Sequence, residues 1–294
     1  MKTSLHRITT SVGIELVGLL YEPEVATKKI LVHVHGMAGN FYENKFLDAI
    51  AGTLTASGVA FFAFNNRGCE ILKDLTKFVD GKKTYARIGD AYEKFEDCVL
   101  DISAAIDAVS GWGFSKIHLS GHSLGSPKIA YYLAETANTR VHSCIFLSPS
   151  NMLGLVRSHP ELFKRDITEA TALVQQGKGR ELITNKVWDE YPLSAETYIS
   201  LFGDDSNAKV FSFHDSANEL PVIGKISQPI CAIMGKKDDA LTVSIEETME
   251  RITKAAKKSS RVETVILGDA NHVYDGYEQE LANALQSWIQ KINN

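Results

Sequence analysis

The sequence predicts an α/β fold: a mostly parallel central sheet flanked by helices, with a helical cap inserted into the core. Three observations predict it. Short β-branched runs alternate with longer helical patterns along the chain. The strand-like runs are almost continuously apolar, as strands covered on both faces are. One stretch, 151–223, breaks the rhythm, which resumes at Pro229. With 294 residues and 44% hydrophobic content, the chain can bury its own core without metal or disulfide staples.

Taken in order, the strands fall at 14–21 (IELVGLLY), 30–35 (ILVHVH), 60–64 (AFFAF), 117–120 (IHLS), 143–147 (SCIFL), 230–234 (ICAIM) and 264–267 (TVIL). Helical patterns occupy 44–57, 91–109, 128–135, 245–257 and 277–292. In the second, Tyr92, Phe95, Val99, Ile102, Ile106 and Val109 recur at three and four residues, one apolar face against a sheet. The fourth starts on a capping box, Ser244 with Glu247 three residues on. Segments 1–150 and 224–294 form the core, because the C-terminal part alone has too few strands for a core of its own. The 151–223 segment shows no convincing strand, only helical pieces at 160–176 and 194–202. It is rich in exposed-looking aromatics: Trp188, Tyr191, Tyr198, Phe202, Phe211 and Phe213. Its position predicts a cap over the carboxyl end of the sheet, where open α/β folds bind ligands.

Bulk properties narrow the function. A net charge of -5 with no Lys/Arg block argues against nucleic-acid or anionic-membrane partners. No apolar run approaches a membrane span, and Glu15 interrupts the only apolar stretch near the N-terminus. The four cysteines, Cys69, Cys98, Cys144 and Cys231, form no CxxC or C/H cluster, so reduced thiols and a cytoplasmic location are expected. A homodimer is compatible with the sequence.

The chemistry centres on GHSLG, residues 121–125. A compact strand precedes it, and a helix start with Pro127 in the first turn follows. Strand, sharp turn and helix make a nucleophile elbow, in which the glycines leave room for a tightly folded backbone around Ser123. The structural alternative is a plain βα turn. The helix N-terminus offers free N–H groups to a developing oxyanion, and Leu124 supplies one.

A serine hydroxyl needs a base, and the base an orienting acid, in the chain order Ser, Asp/Glu, His. Two acids follow the strand 230–234 in GKKDD, and the nearby capping box leaves them free of helix-capping duty. Asp238, three residues after Gly235, is preferred, with Asp239 as second choice. His272, in DANH on a strand-end loop, is the only histidine after them. Its alternative role is that of a solvated loop residue. A second oxyanion donor is expected from the loop after the strand 30–35, at the N–H of Met37. His33 and His35 alternate on that strand, but no convergent carboxylate or cysteine accompanies them, so no metal is expected. They are expected to satisfy backbone groups around the site. A dinucleotide enzyme is excluded as well. Gly111 and Gly113 begin a GxGxxG pattern, but Lys116 holds the third glycine position and a strand follows. No cofactor is expected.

Together, HVHGMAG, FNNRG, GHSLG, GKKDD and DANH in this order resemble the α/β-hydrolase superfamily over 13–292. The resemblance implies Ser123 as nucleophile, Asp238 as acid, His272 as base, and Met37 and Leu124 at the oxyanion-hole positions. Asn65 stands where relatives often carry Asp, a difference that bears on local packing. GHSLGSPKIAYYL and LPVIGKISQPI are more distantly similar to a group related to fungal siderophore esterases. That similarity implies a small-molecule ester with a bulky or polar acyl group. The expected activity is carboxylic-ester hydrolysis through an acyl-enzyme. Thioester or amide cleavage and acyl transfer use the same machinery, and the alternative of another class is a ligand-binding protein that keeps the fold without catalysis.

Overall fold

The computed structural model describes residues 1–293. Twelve strands form: β1 (Lys2–Thr9), β2 (Glu15–Glu22), β3 (Lys29–Val34), β4 (Ala60–Phe64), β5 (Lys73–Val79), β6 (Lys82–Ile88), β7 (Lys116–His122), β8 (Val141–Leu147), β9 (Leu182–Val187), β10 (Tyr191–Ser194), β11 (Ile230–Gly235) and β12 (Val262–Leu267). The helices are α1 (Phe46–Ala56), α2 (Cys98–Gly111), α3 (Gly125–Thr136), α4 (Met152–Arg157), α5 (Pro160–Gln175), α6 (Ala195–Phe202), α7 (Ile245–Ala255) and α8 (Glu278–Asn293).

Eight strands make one sheet in the order β1-β2-β4-β3-β7-β8-β11-β12. The pairs β1–β2 and β2–β4 are antiparallel. From β4 to β12 every pairing is parallel. Successive side chains of a strand point to opposite faces, and the core divides accordingly. Phe62 and Phe64 of β4, with Ile30, Val32 and Val34 of β3, belong to the core on the side that carries α2, α3 and α7. Leu31, Phe61 and Ala63 pack on the other side against α1 and α8, where Leu47, Ile50 and Leu54 meet Leu285 and Trp288. This is the helix-flanked, mostly parallel sheet that the apolar runs predict.

Several elements depart from expectation. β1 forms an antiparallel edge strand over a segment with little apolar alternation, most of it exposed. Residues 73–88 form a hairpin whose turn, Asp80-Gly81, has φ of 49° and 74°. An Asp-Gly turn with both central residues in the left-handed region suits a tight hairpin. Its strands mix polar and apolar residues without regular alternation and bury only Leu75, so apolar periodicity gives no sign of them. The helix expected over 91–109 starts only at Cys98, after single turns at Asp90–Tyr92 and Phe95–Asp97. Between these turns Glu93 is extended and sends its carboxylate to the buried Lys128 ammonium, 2.8 Å away.

Between β8 and β11 the chain is not strand-free. β9 and β10 pair antiparallel around a turn with Trp188 and Asp189 at positive φ. The aromatics of this segment are mostly interior as well. Tyr198 and Phe202, four residues apart on α6, are buried with Phe211 and Phe213 in the main core, which corrects the expectation of exposure. Trp188 is exposed and Tyr191 half-buried. Among the described residues no helix is long and apolar enough to cross a membrane.

Candidate active site

The expected site residues converge at the carboxyl end of the sheet. Ser123 follows β7 with φ of 53°, a left-handed backbone unusual for a residue bearing a Cβ. The strain is held by hydrogen bonds on both sides. Ser123 N–H donates to the Leu147 carbonyl at 3.0 Å, and the Ser126 hydroxyl donates to the Gly121 carbonyl at 2.6 Å. The flanking glycines are obligatory here. A Cβ on Gly121 would lie 2.2 Å from the Gly125 carbonyl oxygen, and one on Gly125 2.2 Å from that of Val34. The chain before α1 comes equally close, since a Cβ on Gly36 would lie 2.8 Å from the Cβ of Ser123.

His272 lies on the loop after β12, and its Nδ1 is 2.8 Å from Asp238 Oδ1. The Asp238 side chain is fully buried. Burial alone would raise its carboxyl, but the hydrogen bond and charge of His272 outweigh this and hold it below its ordinary range. Asp239, the alternative acid, is exposed and lines the pocket opening without bonding His272. Ser123, His272, Met37 and Gly36 all line one pocket of about 680 Å³. The Ser123 hydroxyl makes no hydrogen bond to another protein group among the described residues. Leu124 buries its side chain in the core. The amides of Met37 and Leu124 lie outside the strand and helix ladders and reach no protein acceptor among the described residues.

A buried polar shell supports these loops. His35 Nδ1–H donates to the Gly36 carbonyl at 2.9 Å, while its Nε2 accepts the Asn66 N–H at 3.0 Å. Burial pushes the His35 imidazole down to about 3, so it stays neutral in this bracing role. His33, by contrast, bonds a side chain, the Ser120 hydroxyl at 3.0 Å, rather than backbone. Arg67 of FNNRG is held by Asp101 at 2.8 Å and Asp97 at 2.6 Å, fixing that turn to α2. Asn65 accepts the Phe41 N–H at 2.9 Å, so the residue that replaces Asp still secures the chain entering α1. The four cysteines are free and buried. Among the described residues no three His, Cys, Asp or Glu side chains are grouped to hold a metal ion.

Three contributors escaped the sequence reading. His122, the residue before Ser123 in GHSLG, bonds the His272 carbonyl at 2.8 Å. Tyr274 donates to the Ile233 carbonyl at 2.9 Å and accepts the Ser148 hydroxyl at 2.9 Å, tying the His272 loop to β11. Lys128 meets Glu93 and Asn66 beneath the loop. Each pairs positions far apart in the chain. A Lys at the fourth position of an apolar helix is the one visible signal.

The family described as "Protein of unknown function (DUF1749)" matches residues 89–293. No curated protein matches the chain. Among solved structures, Est1E from Butyrivibrio proteoclasticus with ferulic acid bound is similar at 18% identity and a TM-score of 0.66, covering 97% of this chain and 98% of its own. A Pyrococcus furiosus esterase is similar at 18% identity and a TM-score of 0.60, with coverages of 99% and 91%. An alpha-beta serine hydrolase homologue from Coxiella burnetii is similar at 18% identity and a TM-score of 0.54, with coverages of 98% and 97%. At these identities the likeness speaks to the fold.

Proposed function

The chain belongs to the DUF1749 family and has the α/β-hydrolase fold, and from that premise we propose that it is a serine hydrolase cleaving a carboxylic ester through an acyl-enzyme. One observation carries the reading: the 2.8 Å contact between His272 and the buried Asp238, in the same pocket as a serine held in a left-handed turn.

Because Nδ1 of His272 is engaged by Asp238, its Nε2 is the nitrogen available to take the Ser123 proton. Ser123 Oγ attacks the ester carbonyl carbon, and His272, now protonated, is stabilised by the Asp238 carboxylate. The amides of Met37 and Leu124 receive the negative charge that develops on the carbonyl oxygen. His272 then returns the proton to the departing alcohol, leaving an acyl group on Ser123. A water deprotonated by His272 attacks that acyl carbon, and collapse of the second tetrahedral intermediate releases the acid and restores the Ser123 hydroxyl. Segment 151–223 acts as a cap, supported by the positions of Met152, Leu155, Trp188 and Tyr191 along the pocket. The substrate in this reading is a small-molecule ester. The four buried free thiols fit a reducing, cytoplasmic compartment.

The test is covalent labelling by a fluorophosphonate, read by peptide mass. Wild type is expected to be modified at Ser123 and to hydrolyse 4-nitrophenyl acetate, and Ser123→Ala to do neither while keeping its fold. A folded wild type that leaves Ser123 unlabelled would sink the hydrolase reading in favour of a ligand-binding protein.

A further inference from the structure

The charged side chains lining the pocket, its histidines aside, are all of one sign. Glu43, Glu70, Glu190 and Asp239 supply carboxylates, and neither lysine nor arginine lines it. They come from four separate loops. Three are exposed and Glu70 is half-buried, so the negative charge stands at the opening. Three nearby cations are committed elsewhere: Arg157 of α4 to Asp204, Lys237 to Asp269, Lys128 to Glu93. Among the described residues none of the four carboxylates takes part in an ion pair. Like charges gathered around an opening without a paired cation repel one another, and a bound cation relieves that repulsion.

Two further observations point to a ligand. Trp188 and Tyr191 flank Glu190 in the chain and line the pocket, their rings edge-to-face with centroids 6.0 Å apart. An aromatic face beside a carboxylate is favourable for a cationic nitrogen. Ser150 also lines the pocket, 2% exposed, and its hydroxyl has no hydrogen-bond partner. An unpaired buried hydroxyl is disfavoured unless something completes it, and an ester or ether oxygen of a bound molecule would do so.

We infer that the substrates of this pocket are esters carrying an ammonium group, with the cation held among Glu70, Glu190, Asp239 and the Trp188 and Tyr191 rings. Anionic esters, including thioesters of phosphorylated carriers, are disfavoured by the same carboxylates. The inference rests on the reading of Ser123 as nucleophile.

Three 4-nitrophenyl methylphosphonates test it, alike except for the third substituent on phosphorus: 2-(trimethylammonio)ethoxy, 3,3-dimethylbutoxy or 2-sulfoethoxy. In each, Ser123 Oγ bonds to phosphorus, 4-nitrophenolate leaves, and the serine proton passes to His272. The expected second-order inactivation rate is about tenfold higher for the cationic probe than for its neutral isostere, and about a hundredfold higher than for the anionic one. The spread should narrow in about 0.5 M salt. The Glu70→Gln/Glu190→Gln/Asp239→Asn variant should compress the cationic-to-anionic ratio to within about threefold. That ratio is read within one protein, so a change in overall reactivity does not mimic it. Equal rates for all three probes in wild type, with Ser123 labelled, would overturn the ammonium inference and leave the serine reading standing. Failure of the neutral probe to label Ser123 in folded protein would overturn the serine reading and this inference with it.

Discussion

The His122 imidazole donates its Nε2–H to the backbone carbonyl of His272 at 2.8 Å, so the residue before the candidate nucleophile grips the loop of the candidate base. The two rings lie 5.0 Å apart, and Phe46 packs edge-on against His122 at 5.1 Å. Burial, reinforced by the neighbouring His272, pushes the His122 imidazole down to about 3, so it stays neutral and keeps the proton it donates. His122→Phe retains a ring but loses the donor. It is expected to lower kcat on the order of tenfold with KM within about twofold, since the loss falls on alignment rather than binding. His122→Gln, which keeps a donor, should recover part of the rate. Equal kcat in all three proteins would remove His122 from the positioning of His272.

Gly36 passes so close to the serine that an added Cβ would lie 2.8 Å from Ser123 Cβ and 3.3 Å from its Oγ. Gly36→Ala must therefore displace one chain or the other. Activity is expected to fall on the order of a hundredfold, the usual consequence of moving a reacting group by about an ångström. Circular dichroism should stay native. A variant with wild-type turnover would mean that the two loops move apart without consequence.

Asp238 and Asp239 are adjacent but unequal. Asp238→Asn should reduce kcat roughly 10²- to 10⁴-fold, because the amide no longer stabilises the imidazolium or dictates its tautomer. Asp239→Asn, at an exposed carboxylate with no bond to His272, should change kcat on neutral esters less than about threefold. The reverse order in steady-state assays would reassign the acid.

Stability should fall as the solution is acidified from neutrality. Burial, the main cause in each case, lowers His35, His118 and His122 to about 3 and His33 well below its ordinary value of 6.5. Between about 6.5 and 3 the unfolded chain binds protons on these rings that the native chain does not. Unfolding is thereby favoured as pH drops, by about 1.4 kcal/mol per pH unit for each fully titrated ring. Asp90 and Glu93, raised mainly by burial, act in the opposite sense and offset part of this. Asp238, held low, adds to the loss only below its unfolded value of 3.8. Urea midpoints measured from about pH 7.5 to 4.5 should decline throughout. A flat profile would mean that the buried rings take up protons without unfolding.

The core strands and the helices behind them were legible because apolar runs and three-to-four spacing are properties of neighbouring residues. β11 begins at Ile230, as its ICAIM run indicates, and α7 begins after its Ser244 cap, whose hydroxyl accepts the Glu247 N–H. β1, the 73–88 hairpin and β9–β10 were not. Their strands lie on edges or outside the sheet, where polar residues face water and no periodicity forms. The aromatics of 151–223 misled for a related reason. Composition reveals that Tyr198 and Phe202 are large and apolar, but not whether the face they share looks inward.

By itself, the sequence determined the alternating α/β architecture, the tight turn around Ser123, and the order in which an acid and a histidine follow it. All of these rest on local backbone geometry and on hydrophobic spacing along the chain. The tertiary structure alone decided which of two adjacent aspartates meets His272, 34 residues away, and that His122 reaches across 150 residues to hold the same loop. It also decided that the free charges of four separate loops would share one sign at one opening. The physical reason is that hydrogen bonds and charge fields act over a few ångströms of space. The sheet brings distant loop ends to that range, and the chain's own spacing does not encode which ends will meet.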